Sequence, residues 1–352
     1  MYVRLLSVML LLLAGCTHAF PQEFYVDAQN GNDGATGDKL HPFRSLTKAT
    51  HVINALQGTG SIAIKILPGL YHLQDKAELK PKREFTEKQP LILEAAVMPD
   101  DKGWTAASMP VIFCDADTTA AFEFSNCTAI LVSCSHVVIQ GLKFTGNPNP
   151  KTTLYYPIGR ADNSLLGLKV SQCMFIGEKY ASPIQVAVLS DGQETVIDHC
   201  IFYNCRNSVV FWRANAIKMN DSMTHCIVYG AYQAGVWTAR PDSNFFFSNN
   251  IVAHCRFAWI KNYYNQSAYR FQNSLFSGND FYCGQWVKND SLEERTPLEN
   301  KLTEINITTS SGISLSDNQT VAMELTLPDD YLNIRPGTAG YDLNAGIFRR
   351  RK

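Results

Sequence analysis

Between Leu168 and Asn279 one pattern of apolar and polar positions returns at intervals of 24 to 27 residues. Its copies are Val170 to Phe175 (VSQCMF), Ile197 to Phe202 (IDHCIF), Met223 to Val228 (MTHCIV), Phe247 to Val252 (FSNNIV) and Phe271 to Phe276 (FQNSLF). Each reads apolar, polar, polar, small, apolar, apolar. A fixed period of this size is the mark of a solenoid. The segments are short, rich in Val, Ile and Phe, and bounded by Asn, Gly, Ser and Asp, so they predict strands and turns rather than helices. One such coil cannot enclose its own apolar face, and coils must therefore stack. In the stack the first apolar residue, the small residue and the last apolar residue should point inward. Cys173, Cys200, Cys226, Asn250 and Ser274 then form one internal column at a bend, where Asn satisfies stranded backbone groups and Cys fills the same small space. These features predict an all-β chain, a right-handed parallel β-helix, and the Leu-spaced consensus of a leucine-rich array is absent.

Length and charge add limits. The 352 residues exceed an average domain, but a solenoid grows along one axis, so a single domain over 20–352 is expected. Lys plus Arg number 31 and Asp plus Glu 32, a balance that offers no general field for nucleic acid. Residues 1–19 read as a targeting segment, with Arg4 before the apolar run Leu5 to Ala14, which is short for a membrane span. Nine cysteines follow Cys16; no CxxC pair occurs and no Cys/His spacing matches a zinc site, so they are expected to be reduced packing residues.

The entry to the array is a strand, Phe24 to Asp27, running into the turn cluster Asn30–Asp33. After it Ser45 is placed to cap a helix carrying Leu46, Ala49, Ile53 and Leu56. The strand Ile62 to Leu67 and the turn Pro68-Gly-Leu-Tyr71 follow, then Pro90 to Ala96. This combination resembles the entry segment of bacterial extracellular proteins of the pectin-lyase-like β-helix superfamily, in which a strand and short helix cap the first coil. The resemblance places the cap at about 24–60, the coils at about 61–290 and a closing segment at about 291–352, whose Asp329 to Gly337 and Tyr341 to Phe348 would seal the last coil. The end of the leader, Leu13-Ala14-Gly15-Cys16, resembles a lipoprotein signal with Cys16 as the lipidated residue, and this is preferred to a cut after Ala19. It implies a cell-surface or outer-membrane protein held to the membrane by that lipid.

The same resemblance directs the search for chemistry toward polysaccharide lyases, which abstract a proton beside a uronate and often use calcium, and toward hydrolases with paired carboxylates. The Asn30–Asp33 loop offers oxygen ligands for calcium, but turn chemistry also explains it. Val196 to Cys200 resembles a pectate-lyase segment whose Asp helps bind calcium, yet Arg240-Pro241 only echoes that family's catalytic motif, with Asn244 in place of its second Arg. Asp198-His199, Thr224-His225 and Ser248-Asn249 sit inside the repeated phrase and read as a solvated column. The stacked His199 and His225 could bind a metal, but no carboxylate or third His joins them in the same column, so no metal is assigned. Asp191, Glu194, Asp221, Asp242 and Asp280 are scattered among turns. The more coherent set follows each phrase: Trp212-Arg213, Trp237 with Arg240, Trp259 with Lys261, and Trp286 with Lys288, beside Tyr263. A shared phase would stack these along one side of the solenoid, either as a sugar platform with cations for acidic groups or with the indoles turned into the core. The loop from Gly146 to Asn163 reads as an excursion bordering that side.

The resulting expectation is a monomeric, exported protein binding an acidic polysaccharide. Arg240 or Lys261 would be the base of a β-elimination, and Trp212, Arg213, Trp237, Trp259, Tyr263 and Lys288 would hold substrate. Hydrolysis ranks second. The rival is a non-catalytic glycan-binding or structural β-helix.

Overall fold

The structure, a computed structural model, describes residues 21–116, 126–160, 162–212, 219–239, 243–261, 268–287, 291–294, 302–306 and 332–349. The targeting segment and Cys16 lie outside these. The chain winds through three parallel sheets, with ten, eight and nine strands among the described residues. One coil visits the first sheet (Leu166–Ser171), the second (Met174–Ile176) and the third (Val186–Ser190) before returning to the first at Gln193–Asp198. Parallel order breaks only at the end of the third sheet among the described residues, where Phe281–Val287 pairs antiparallel with Ser291–Glu294.

The repeated phrase turns the corner from the first sheet to the second. Val170, Ile197, Met223, Phe247 and Phe271 are consecutive register partners, and all are buried. The small residues also stack inward as expected. Cys226 N donates to Asn250 Oδ1 (2.8 Å), Asn250 Nδ2 donates to Met223 O (2.8 Å), and Asn250 N donates to Ser274 Oγ (3.1 Å). Phe144, Phe175 and Phe202 continue the core as parallel rings with centroids 5.0 and 4.9 Å apart. The residue before each ladder position, Gln172, His199, His225, Asn249 and Asn273, has φ between 46° and 58°. That left-handed conformation explains the polar pair of the phrase, because Asn and His tolerate it where a β-branched residue would not.

A second bend of the same kind follows the second sheet and escapes the phrase. Asn204, Gly230, His254 and Gly278 hold left-handed corners there, and Cys205, Ala231, Cys255 and Asn279 point inward behind them. Asn279 repeats the role of Asn250, accepting from Cys255 N and donating to Val252 O, both at 2.8 Å. None of the nine described cysteines is in a disulfide, and eight of them are buried.

At the N-terminal end Ser45 caps the helix α1 (Leu46–Ala55) through a bond from Lys48 N, and Leu46, Ala49 and Ile53 close the first coil. The carboxylate of Asp33 receives Arg44 N, Ser45 N and Ser45 Oγ, while Asp27 receives Gln29 N and Asn30 N. The oxygens offered to calcium in this loop therefore serve its turns.

Two expectations change. Within the presumed excursion loop, Tyr155–Arg160 is a strand of the third sheet, paired on both sides. Pro157 and Gly159 disguise it, since Pro lacks the N–H of a ladder and skips a partner between Tyr156 and Ile158. The C-terminal segment, over its described residues 332–349, does not end as a lid on the last coil. It lies along the outer side of the second sheet, where Leu332, Ile334, Ile347 and Phe348 cover Met174, Ile201, Ile227, Ile251 and Leu275, and Phe348 meets Trp104 edge-on at 5.2 Å. An outward row of Ile on successive coils would otherwise face water, at about 25 cal/mol per Å² of apolar surface. Gly346, at φ 116°, allows the strap its close approach: a Cβ there would stand 2.2 Å from Asn333 Oδ1.

Candidate functional site

The third sheet carries most of the residues on which chemistry was expected. Its register separates the tryptophans. Val209, Val236, Trp259 and Cys283 are partners in one inward column; Val210, Trp237, Ile260 and Gly284 occupy the next position; Phe211, Thr238, Lys261 and Gln285 the one after. Trp212 and Trp286 follow Phe211 and Gln285. Four tryptophans thus fall on three register positions, and a slip of one residue reverses the face. Trp259 is a core residue, 1% exposed, packed on Tyr269 (4.8 Å) and Phe271 (4.9 Å) with Nε1 donating to Thr238 Oγ1 at 2.9 Å. It cannot stack on a sugar. Trp212 and Trp237 lie outward, half-buried and perpendicular to each other at 6.3 Å, against Tyr156, Leu189 and Val210. Arg213, Arg240, Tyr263, Lys288 and Asp242 lie outside the described residues.

Lys261 is 5% exposed, in the register position of Thr238 and, three and four coils earlier, of Ser190 and Arg160. Arg160 is fully buried, with Nη1 donating to Gln193 O (2.9 Å) and Thr195 Oγ1 (3.1 Å). Thr195 in turn meets Ser190 Oγ at 2.7 Å, and its N–H donates to Asp221 Oδ1 at 2.9 Å. Asp191 and Asp221 are buried as well. This band ties the third sheet to the first from inside the solenoid, and its carboxylates do not face a groove. Glu194 and Asp280 are exposed but stand on different coils and different sheets' ends.

The accessible chemistry is at the other end of the same strands, where the chain enters the third sheet. Arg206 and Arg256 precede strands that stand in register two coils apart through Asn207, Ala234 and Phe257. Both are exposed, and no carboxylate lies within ion-pair distance of either among the described residues. Gln233 occupies the coil between and receives Arg206 Nε (2.7 Å) and Asn207 Nδ2 (2.9 Å) through Oε1. Beside them Tyr180 is 85% exposed, and Lys179 Nζ lies 5.2 Å from the centre of its ring and 5.4 Å from that of Tyr232. Burial pushes the Tyr232 hydroxyl up to about 12, with Arg206 opposing, so the ring keeps its neutral hydroxyl at physiological pH. The rim thus combines aromatic faces, guanidinium forks and an ammonium. The recurring Cys-Arg of Cys205-Arg206 and Cys255-Arg256 was its signal in the sequence.

The polar column at the first corner also departs from expectation. His199 is 6% exposed and lies beneath the C-terminal strap, and Asp198 joins both histidines.

No protein-family model and no curated protein matches the chain. Among solved structures it is similar to a rhamnogalacturonan lyase, with a TM-score of 0.52 and 11% identity over 93% of this chain and all of that one. A pectate lyase aligns with a TM-score of 0.46 and 11% identity, covering 95% and 97% of the two chains. A lacto-N-biosidase from Eubacterium ramulus gives 0.44 and 10%, covering 81% and 67%. Likeness at such identities is likeness of fold: the chain is a right-handed parallel β-helix of the pectin-lyase type.

Proposed function

We propose that this chain is a carbohydrate-active β-helix protein that binds an acidic polysaccharide along the entry rim of the third sheet. The observation that carries this reading is the pairing of two rings, the exposed Tyr180 and the half-buried Tyr232, with Lys179, Arg206 and Arg256 on successive coils. Rings pack on the C–H faces of sugars, and guanidinium forks donate bidentate hydrogen bonds to carboxylates. The name of the fold neighbour, a rhamnogalacturonan lyase, supports a polysaccharide as the ligand class. β-Elimination is favoured over hydrolysis, because the rim is cationic while Asp191 and Asp221 are buried away from it. Lys261 is too enclosed to meet a bulky glycan. Arg240 remains as the proposed base, and because it follows the far end of the strand Ala234–Thr238 from the rim, elimination requires a glycan that also crosses the third sheet.

Retention on uronic-acid glycans tests the reading. Arg206→Ala with Arg256→Ala is expected to weaken binding at least about tenfold, roughly 1.4 kcal/mol, without loss of fold. Ultraviolet absorbance of an unsaturated product, lost in Arg240→Ala, is the expected sign of elimination. Binding without product would leave a non-catalytic glycan module, and unchanged retention in the double variant would remove the rim.

The same proposal sets the protein on the cell surface, held by a lipid at Cys16. The mass of the mature chain should correspond to a start at Cys16 plus acyl groups; an unmodified start at Phe20 would refute the anchor.

A further inference from the structure

Asp198, His199 and His225 meet where the first sheet turns into the second. Asp198 ends a strand and His199 holds the left-handed corner after it; His225 holds the same corner one coil on. His199 Nδ1 is 2.9 Å from Asp198 Oδ1, and His225 Nδ1 is 3.7 Å from the same oxygen. One donor atom of each residue lies within 4.8 Å of the other two. In a tetrahedral zinc site, with bonds of about 2.0–2.1 Å, donor atoms stand roughly 3.4 Å apart. The two separations measured from Asp198 bracket that value.

The ring nitrogens nearest Asp198 are the two Nδ1 atoms. His225 Nδ1 is buried without a hydrogen-bond partner among the described residues, an uncommon state for a buried polar atom, and His199 Nδ1 meets the Asp198 carboxylate. His225 Nε2 lies 2.9 Å from the amide of Asn249, which also contacts Ser248 Oγ at 3.1 Å. Because a hydroxyl both donates and accepts, that amide can turn its oxygen to His225. Nε2–H then donates to it and Nδ1 carries its lone pair toward Asp198, the arrangement usual for an imidazole bound to metal. The rings stack at 4.5 Å and 13°, and a bound ion lies in the plane of each imidazole, so binding would turn His225 out of the stack.

We propose that Asp198, His199 and His225 form a binding site for a divalent ion of the zinc class. Two imidazoles and one carboxylate favour zinc, copper or nickel over the hard ions calcium and magnesium. The ion would join two adjacent coils directly beneath the C-terminal strap. Arg349 stands there 3.9 Å from Asp198 Oδ2 and donates to Ser171 Oγ at 2.7 Å, and Gly346 N donates to His225 O at 2.9 Å. The site lies on a different corner from the proposed glycan rim, and neither depends on the other.

The test uses the full chain, freed of metal by chelation and dialysis, and titrated with zinc and separately with calcium in a calorimeter. One equivalent of zinc is expected to bind and calcium is not. Cobalt should bind in competition with zinc and give the visible absorption of four-coordination. His199→Asn with His225→Asn is the informative variant, because Asn already holds the same left-handed corner at Asn249 and Asn273. It should fold, lose zinc affinity at least about tenfold, and lose the rise in melting temperature that zinc gives the parent. Glycan retention should be unaltered. Absence of zinc binding by the parent, or equal binding by the double variant, would overturn the site.

Discussion

Replacement of Trp259 by alanine should lower the free energy of unfolding by about 3–5 kcal/mol, the range for deleting a large aromatic from a packed core. The indole is 1% exposed and wedged between Tyr269 and Phe271, so alanine leaves a cavity that neighbouring strands, fixed by their ladders, cannot close. Thr238 Oγ1 also loses its donor. Trp237 is one register position later and half-buried on the outside, and Trp237→Ala should cost less than about 1.5 kcal/mol by the same measurement. Urea unfolding followed by far-ultraviolet circular dichroism compares the two. Near-equal losses would place both rings on one face and restore a row of tryptophans along the solenoid. Reduced glycan retention in Trp259→Ala should track its unfolded fraction, since the residue does not reach the surface.

That contrast also marks how far the pattern of residues can be read. The phrase from Val170 to Phe175 and its copies revealed the corner between the first and second sheets, because packing, ladder bonding and left-handed backbone all restrict the same six positions. The third sheet is less constrained in sequence. The tryptophans lie nine to twelve residues past the ladder residue: Trp259 nine past Asn250, Trp237 eleven past Cys226 and Trp212 twelve past Cys200. The link after Cys226 is one residue longer than those after Cys200 and Asn250, so a loose common spacing does not fix their register. One residue is enough to reverse the face. The second corner was hidden for a different reason: its inward residues are Cys205, Ala231, Cys255 and Asn279, and its left-handed residues Asn204, Gly230, His254 and Gly278, too varied to catch as a motif. Arg206 and Arg256 went unnoticed with it. The strap's course depends on contacts between residues as distant as Gln172 and Ile347, whose side-chain and backbone bond of 2.8 Å no local pattern announces. Its docking buries His199, and the turn that aims Asp198 along the column supplies the carboxylate that spacing alone placed elsewhere. There, burial works to raise the Asp198 carboxyl, but contacts with His199, His225 and Thr224 outweigh it and hold the group well below the usual carboxylate range.

The internal ladder allows a sharper experiment. Asn250→Ala should destabilise the chain by about 3 kcal/mol, because it strands two buried backbone groups, Cys226 N–H and Met223 C=O, each worth about 1–3 kcal/mol when left unpaired. Asn250→Cys should cost roughly half as much. One coil earlier Cys226 Sγ already accepts Cys200 N at 3.4 Å, a longer and weaker bond than the 2.8 Å of the amide but not an empty position. Sulfur also fills the volume that alanine leaves. Cysteine nevertheless does less for the bend below: Cys226 Sγ reaches Ile197 O at 3.8 Å, whereas Asn250 Nδ2 reaches Met223 O at 2.8 Å. The order Asn, Cys, Ala in denaturant midpoint is therefore the expected result at this position, and the same order should hold at Asn279 on the second corner, where the two amide bonds are repeated. If alanine and cysteine proved equally costly, the cysteines of the ladder would be mere fillers. The coils around Cys173, Cys200 and Cys226 would then be held by side-chain packing alone, and the polar bonding of the ladder would rest on Asn250 and Ser274 at the first corner and Asn279 at the second.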